Sequence, residues 1–338
     1  MKVHAPGKLI LSGEHAVVYG QPALAMAVNR YVTAIATPQL APHVSFDLSD
    51  LDYQQRLSLS SLNSLKDRIK DKYQRFVSGE FKIRNVLQKP VELAQFAFML
   101  FFEALNIKLT QGVKICIQST IPMGCGMGSS AATVLSIVHA MANHLDVDMP
   151  SEMFLRLGQE AENMQHGYSS GLDLKVSLYG GCIYLKDQIA HVRALPRMPM
   201  FLVNTGLPDT STGECIEVAA KYFNGSLIGH DFGAVTEAMD KAFQDNQLRA
   251  AMQAIKANHQ LLVQIGVVPL LVQDFIKDIQ QFGAAKICGA GAVSGAKAGI
   301  VLVLTEDEGA LTQLCERYGY SLLPIAGESR GVHILKAT

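Results

Sequence analysis

The sequence predicts a mixed α+β architecture built in two blocks, and three observations carry that expectation. Segments with strand-like alternation and segments with a helical apolar period are interspersed along the chain, which excludes an all-helical or all-strand fold. Two glycine-rich bends, 122–128 and 289–295, each lie next to an apolar segment. Pro196 and Pro199 separate two such mixed stretches, so the boundary between an N-terminal domain (1–195) and a C-terminal domain (196–338) is placed there. With 338 residues, 49% hydrophobic and 17% charged, the chain is long and apolar enough to fill two cores around a shared cleft.

Taken in order, residues 2–20 read as two short strands joined by a tight turn, with glycines at 7, 13 and 20. The β-branched stretch 28–37 reads as a strand, and the polar stretch 52–76 as surface helix and loop. Residues 91–105 carry a broad apolar face and read as a buried helix. Val113, Ile115 and Ile117 alternate as a strand would. Helices are expected over 129–145 and 151–165, then a hairpin over 183–192. The second block opens with a strand at 200–204, followed by helices near 211–222, 231–244, 248–265 and 269–282. Apolar segments 286–289 and 299–304 flank the second glycine-rich bend.

A formal net charge of −1 gives no general attraction to nucleic acid or to an anionic membrane, so neither is expected as a partner. The six cysteines form no CxxC pair, and their spacing suggests neither a disulfide framework nor a zinc site. Reduced, mostly buried thiols in a cytoplasmic protein are the expectation. Lys8, Glu14 and His15 interrupt the apolar start, so no signal peptide is expected. The most apolar run, 96–102, is too short to span a bilayer.

Four segments carry residue types suited to chemistry. In Pro122-Met-Gly-Cys-Gly-Met-Gly-Ser-Ser-Ala131, glycines at 124, 126 and 128 let backbone N–H groups turn toward an anion. Ser129 and Ser130 stand at the start of a helix, where free amides favour phosphate and a hydroxyl can ligate magnesium. A plain turn with a serine cap has the same composition, so the loop alone decides nothing. Glu162 near a helix end and Asp173 after Ser-Ser-Gly offer two carboxylates from separate elements. Phosphoryl transfer needs such a pair, one for a metal and one beside the attacking hydroxyl, yet solvated surface carboxylates would look alike. Lys8 interrupts an apolar strand, and Glu14-His15 follow a glycine at a turn; a snorkelling edge lysine and a surface pair fit equally. Lys286-Ile-Cys-Gly-Ala-Gly-Ala-Val-Ser-Gly295 reads as a second bend between strands.

Together and in this order, these segments resemble the signature motifs of the GHMP kinases. The central motif there is Pro-x-x-x-Gly-Leu-Gly-Ser-Ser-Ala, matched here with Met127 in place of leucine. Ala5-Pro-Gly-Lys8 and Gly13-Glu-His-Ala-Val-Val-Tyr-Gly20 resemble the branch acting on mevalonate, as do Ser170-Gly-Leu-Asp173, Tyr179-Gly-Gly181 and Asn258-His-Gln-Leu-Leu. The matches run from residue 5 to about 300. The resemblance implies an N-terminal domain like ribosomal protein S5 domain 2 and a ferredoxin-like C-terminal domain, with the site between them. It implies ATP-dependent phosphorylation of mevalonate, with ATP and Mg²⁺ required and a homodimer as one admissible assembly. A kinase of phosphomevalonate or of a related hydroxy acid, or a non-catalytic metabolite sensor, are the competing readings.

By the same resemblance, Asp173 would be the catalytic carboxylate and Lys8 would steady the attacking oxygen. Ser130 and Glu162 would ligate magnesium. Gly124, Cys125, Gly126, Met127, Gly128, Ser129 and Ser130 would hold ATP, and Glu14, His15 and Thr212 would contact the substrate. The sequence departs from the family at Ser169, where a proline is usual, and at Cys288, where threonine is usual. Ala292, Val293 and Ser294 stand where the family has glycines, and their side chains are expected to narrow the ligand pocket.

Overall fold

The computed structural model describes residues 1–122 and 124–335. Strand β1 (Lys2–Ser12) is one strand of 11 residues, where the sequence suggested two. Pro6 and Gly7 do not break it, because the ladder to β2 (Ala23–Gln39) shifts register at that step and again between Ile10 and Ser12. The turn falls later, at Gly13 (φ +93°), where a Cβ would stand 2.5 Å from the Pro22 carbonyl oxygen.

The stretch read as surface helix and loop holds part of a hairpin as well: β3 (Val44–Leu48) and β4 (Tyr53–Leu57) precede α1 (Leu59–Val77). Then come α2 (Pro90–Leu105), β5 (Gly112–Ser119), α3 (Ser129–His144), α4 (Ser151–His166), α5 (Leu172–Tyr179) and the hairpin β6 (Cys182–Lys186) and β7 (Ile189–Arg193). Helix α2 is buried from Val91 to Phe102, as its almost unbroken apolar sequence demands. The rest of the chain comprises β8 (Met200–Asn204), α6 (Thr212–Phe223), α7 (Ile228–Gln244), α8 (Leu248–Gln264), α9 (Leu270–Ile279), β9 (Gly283–Ile287), β10 (Ile300–Thr305), α10 (Glu308–Tyr318), β11 (Ser321–Leu323) and β12 (His333–Leu335).

Two sheets result. The first runs β12-β1-β2-β5-β3-β4, with the β6–β7 hairpin joined to the early half of β2. Only β3 and β5 are parallel in it. Beneath it α2 and α3 close a core that includes Phe46, Phe96, Phe98 and Phe101, each at most 1% exposed. The second sheet runs β11-β8-β10-β9, all antiparallel. Its core, with Val203, Phe275, Val301 and Val303, is separate. The C-terminal strand β12 returns to pair with β1 in the first sheet, so the chain crosses the cleft twice. Among the described residues, no helix is long and apolar enough to cross a membrane.

Candidate active site

Strand β12 pairs with β1 only over Lys2–His4, so Lys8 lies beyond it, yet its side chain is buried under the first glycine loop and does not snorkel to solvent. It is 4% exposed, and its Nζ lies 3.2 Å from Asp173 Oδ2. Asp173 is the second residue of α5, a helix that the sequence shows only as a turn. Gly171 ends that turn in the left-handed region (φ +73°) and starts the helix. Asp173 therefore sits in the first turn of a helix, where the dipole favours a negative charge. Lys8 N–H also donates to the Met127 carbonyl at 3.0 Å, which fixes the strand against the first glycine loop. Gly128 (φ +69°) closes over the pair: a Cβ there would stand 2.7 Å from Lys8 Cγ and 3.5 Å from Asp173 Oδ2.

Gly128 is also the residue from which α3 starts, so the first amides of α3 have no intrahelical acceptor. Ser130 Oγ donates to Glu162 Oε1 at 2.5 Å and lies 3.4 Å from His166 Nε2. Glu162 is 2% exposed. Burial pushes its carboxyl above the usual range, opposed by His166, and the negative charge of Asp173 pushes the same way as burial. Ser169, the residue replacing the family's proline, donates to the other carboxylate oxygen, Oε2, at 3.3 Å.

The turn after β1 meets the second glycine-rich loop. His15 is held at φ +60°, a conformation rare outside glycine, and its Nε2 lies 3.1 Å from the Ala290 carbonyl. Burial lowers its pKa to about 4, so the ring is neutral and Nε2–H donates to that carbonyl. Glu14 is ion-paired with Lys286 of β9, both side chains at most 1% exposed. Sequence reasoning placed Lys286 beside the second bend and gave it no role in the site. Its partner lies 272 residues away, and only an uncharged setting around Lys286 hinted at a buried role.

The two glycine loops touch: a Cβ on Gly126 would stand 3.1 Å from the Cys288 carbonyl oxygen, and one on Gly289 3.2 Å from Gly126 Cα. The expectation that Ala292, Val293 and Ser294 narrow the pocket is not met. Ala292 is buried and its N–H donates to the Val267 carbonyl at 2.9 Å, and Val293 N–H donates to Thr210 Oγ1 at 3.2 Å. Ala292 and Val293 brace the loop from behind, Ser294 is exposed, and only Gly289 and Ala290 of the loop face the cavity.

That cavity, of about 320 Å³, gathers Lys8, Glu14, His15, Glu162, Asp173 and Thr212. A second, of about 510 Å³, lies across Gly124, Ser129 and Ser130, with an apolar wall of Ile83, Leu87, Leu93 and Ile117. The two share the first glycine loop and the start of α3. Gly124, Gly126, Met127, Gly128, Ser129 and Ser130 line one or both, whereas the Cys125 side chain lines neither and points toward Asn204, Sγ to Oδ1 3.8 Å.

Residues 92–181 match the family model described as the GHMP kinases N terminal domain. The mevalonate kinase of Pyrococcus horikoshii is 28% identical over 299 residues, covering 85% of this chain and 84% of that protein. The mevalonate kinase of Candida albicans is 27% identical over 394 residues, covering 98% of this chain and 89% of that protein. The crystal structure of the Methanococcus jannaschii mevalonate kinase matches with a TM-score of 0.79 at 23% identity, over 97% of this chain and 98% of that one. The Lactococcus lactis galactokinase complexed with galactose shares the fold at a TM-score of 0.77 and 17% identity, over 99% of this chain and 95% of that one. A helix-starting glycine loop and a buried lysine–aspartate pair thus accompany a likeness to the kinases of the GHMP family. The chain's sequence similarity to mevalonate kinases extends over more than four-fifths of its length.

Proposed function

We propose that the chain transfers the terminal phosphoryl group of ATP to the primary hydroxyl of mevalonate, giving 5-phosphomevalonate and ADP. The observation that carries this reading is the Lys8–Asp173 pair, which faces a cavity bounded by the first glycine loop. Asp173 accepts the proton of the substrate hydroxyl as its oxygen attacks the γ-phosphorus. The new O–P bond forms while the bond to the bridging oxygen of ADP breaks. Lys8 offsets the negative charge that grows on the attacking oxygen, and burial strengthens that interaction. The amides of residues 124–129 and the start of α3 receive the phosphates of ATP, with the nucleoside in the neighbouring cavity.

Magnesium fits the residues present. Ser130 Oγ and the Glu162 carboxylate converge, and both are the hard oxygen donors that this ion prefers. Among the described residues no three His, Cys, Asp or Glu side chains gather as a metal cage, which suits an ion completed by phosphate and water. When bound, the ion would neutralise phosphate oxygens. Glu14, His15 and Thr212 border the substrate end, where a small hydroxy acid fits the volume. Six unpaired cysteines fit a reducing, cytoplasmic setting.

A coupled ADP-release assay with mevalonate, phosphomevalonate, homoserine and galactose tests the proposal. Mevalonate should give much the highest kcat/KM. A clear preference for any other member of the panel would replace it.

A further inference from the structure

Glu14 and Lys286 come from opposite sides of the cleft, β1's turn and β9, and meet in the interior. Lys286 is 0% exposed, and its Nζ is ion-paired with Glu14 Oε1 and lies 3.4 Å from the Ile10 carbonyl oxygen. Removing two charges from water is costly, and swapping such a pair for apolar residues is often neutral or stabilising, so stability alone does not account for it. Glu14 Oε1 is engaged by the lysine, whereas Oε2 is buried with no hydrogen-bond partner in the structure. An orphaned carboxylate oxygen is expensive to bury and calls for a donor. Glu14 also lines the cavity that holds Lys8 and Asp173.

We propose that Lys286 is a positioning residue for substrate: it neutralises and aims Glu14, so that Oε2 accepts a hydrogen bond from the non-reacting hydroxyl of the substrate. Oε2 offers only acceptor lone pairs, which disfavours a carboxylate there. The acid end of the substrate is therefore turned away from Glu14, and the primary hydroxyl is left for Asp173. Lys286 reaches this role from the second sheet, whereas Lys8 and Asp173 belong to the first. The two sheets must consequently be docked for substrate to be held, while the nucleotide cavity has no residue from β9 or its loop. This inference rests on the proposed phosphorylation of a hydroxy acid.

Lys286→Met, Lys286→Arg and the double variant Glu14→Gln/Lys286→Met test it, each measured for KM and kcat, nucleotide-analogue binding by calorimetry, and Tm. Losing a charged hydrogen bond to substrate corresponds to a KM rise on the order of 10–100-fold. Lys286→Met should show that rise with a lower Tm and unchanged nucleotide affinity, and Lys286→Arg should recover most of it. The double variant, which folds without a stranded charge, should regain Tm but keep the raised KM. A double variant with both Tm and KM at the wild-type level would overturn the inference, leaving the pair as a structural clamp. So would a loss of nucleotide affinity equal to that of substrate affinity in Lys286→Met. If the wild-type enzyme prefers another hydroxy substrate of the panel, the same comparison is made with that substrate, so the two readings fail separately.

Discussion

Gly128→Ala perturbs the site at the point where the phosphate loop, Lys8 and Asp173 meet. Two costs follow from the geometry. Gly128 has φ +69° and ψ +30°, and an L-residue in that region costs about 1–2 kcal/mol. The added methyl would also stand 2.7 Å from Lys8 Cγ and 3.3 Å from Lys8 Cε. Carbon atoms pack at about 3.5–4.0 Å, so the lysine must retreat by roughly 1 Å. Lys8 is 4% exposed and tied through its backbone to Met127, so it can retreat only by leaving Asp173. A displacement of that size at a reacting centre costs about 10²-fold in rate. The strain should lower Tm by about 1–3 °C for a chain of this size. Gly319→Ala is the matched control: its φ is +67°, it ends α10 away from the cavities, and a Cβ there meets nothing within 4 Å. Coupled ADP release and thermal melts should show both variants losing comparable stability, with only Gly128→Ala losing kcat. Equal kcat in the two variants would refute the claim that Gly128 sets the position of Lys8.

Three further outcomes follow. Glu162→Gln should move the magnesium activation curve to higher concentration with little change in substrate KM, since one anionic oxygen donor is lost; an unchanged curve would remove Glu162 from the metal set. His139 is stacked on Phe154 at 3.6 Å, and burial lowers its pKa to about 4. Because the unfolded chain takes up this proton near 6.5 and the folded chain only near 4, stability should fall as pH drops between those values, by up to about 3 kcal/mol for this residue. Urea unfolding from pH 7 to 5 should therefore show a shallower loss for His139→Phe than for wild type, and parallel losses would contradict it. The triple variant Ala292→Gly/Val293→Gly/Ser294→Gly should melt lower, by about 0.5–1 kcal/mol per residue, while keeping the wild-type ranking of substrate analogues; an altered ranking would mean that these side chains do reach the pocket.

Much of this was legible in the sequence because the signals are local. Helix α2 announces itself by its apolar run, and α3 by three glycines followed by Ser-Ser-Ala. Strand β4 was not legible: it is the outer strand of its sheet, and Gln54, Gln55 and Arg56 are exposed, so it has no apolar alternation to read. Strand β1 was divided in two because Pro6 and Gly7 look like breakers, and only the neighbouring strand shows that a register shift absorbs them. Lys8 read equally well as an edge lysine until the first glycine loop, from far along the chain, was found closing over it. The role of Lys286 was missed for the same reason, since nothing near residue 286 reveals a partner at residue 14. The bracing of residues 292–293 against Val267 and Thr210 likewise depends on tertiary contact. Local chemistry was readable, whereas pairings between distant segments were not.

The central claim is that Asp173, beside Lys8, takes the proton of the substrate hydroxyl. Rapid-quench single-turnover phosphorylation of mevalonate by Asp173→Asn, paired with calorimetry of nucleotide binding, tests it most directly. Loss of a positioned proton acceptor should slow phosphoryl transfer by about 10²–10⁴-fold, while nucleotide affinity stays at the wild-type value. Phosphoryl transfer at close to the wild-type rate would contradict the account.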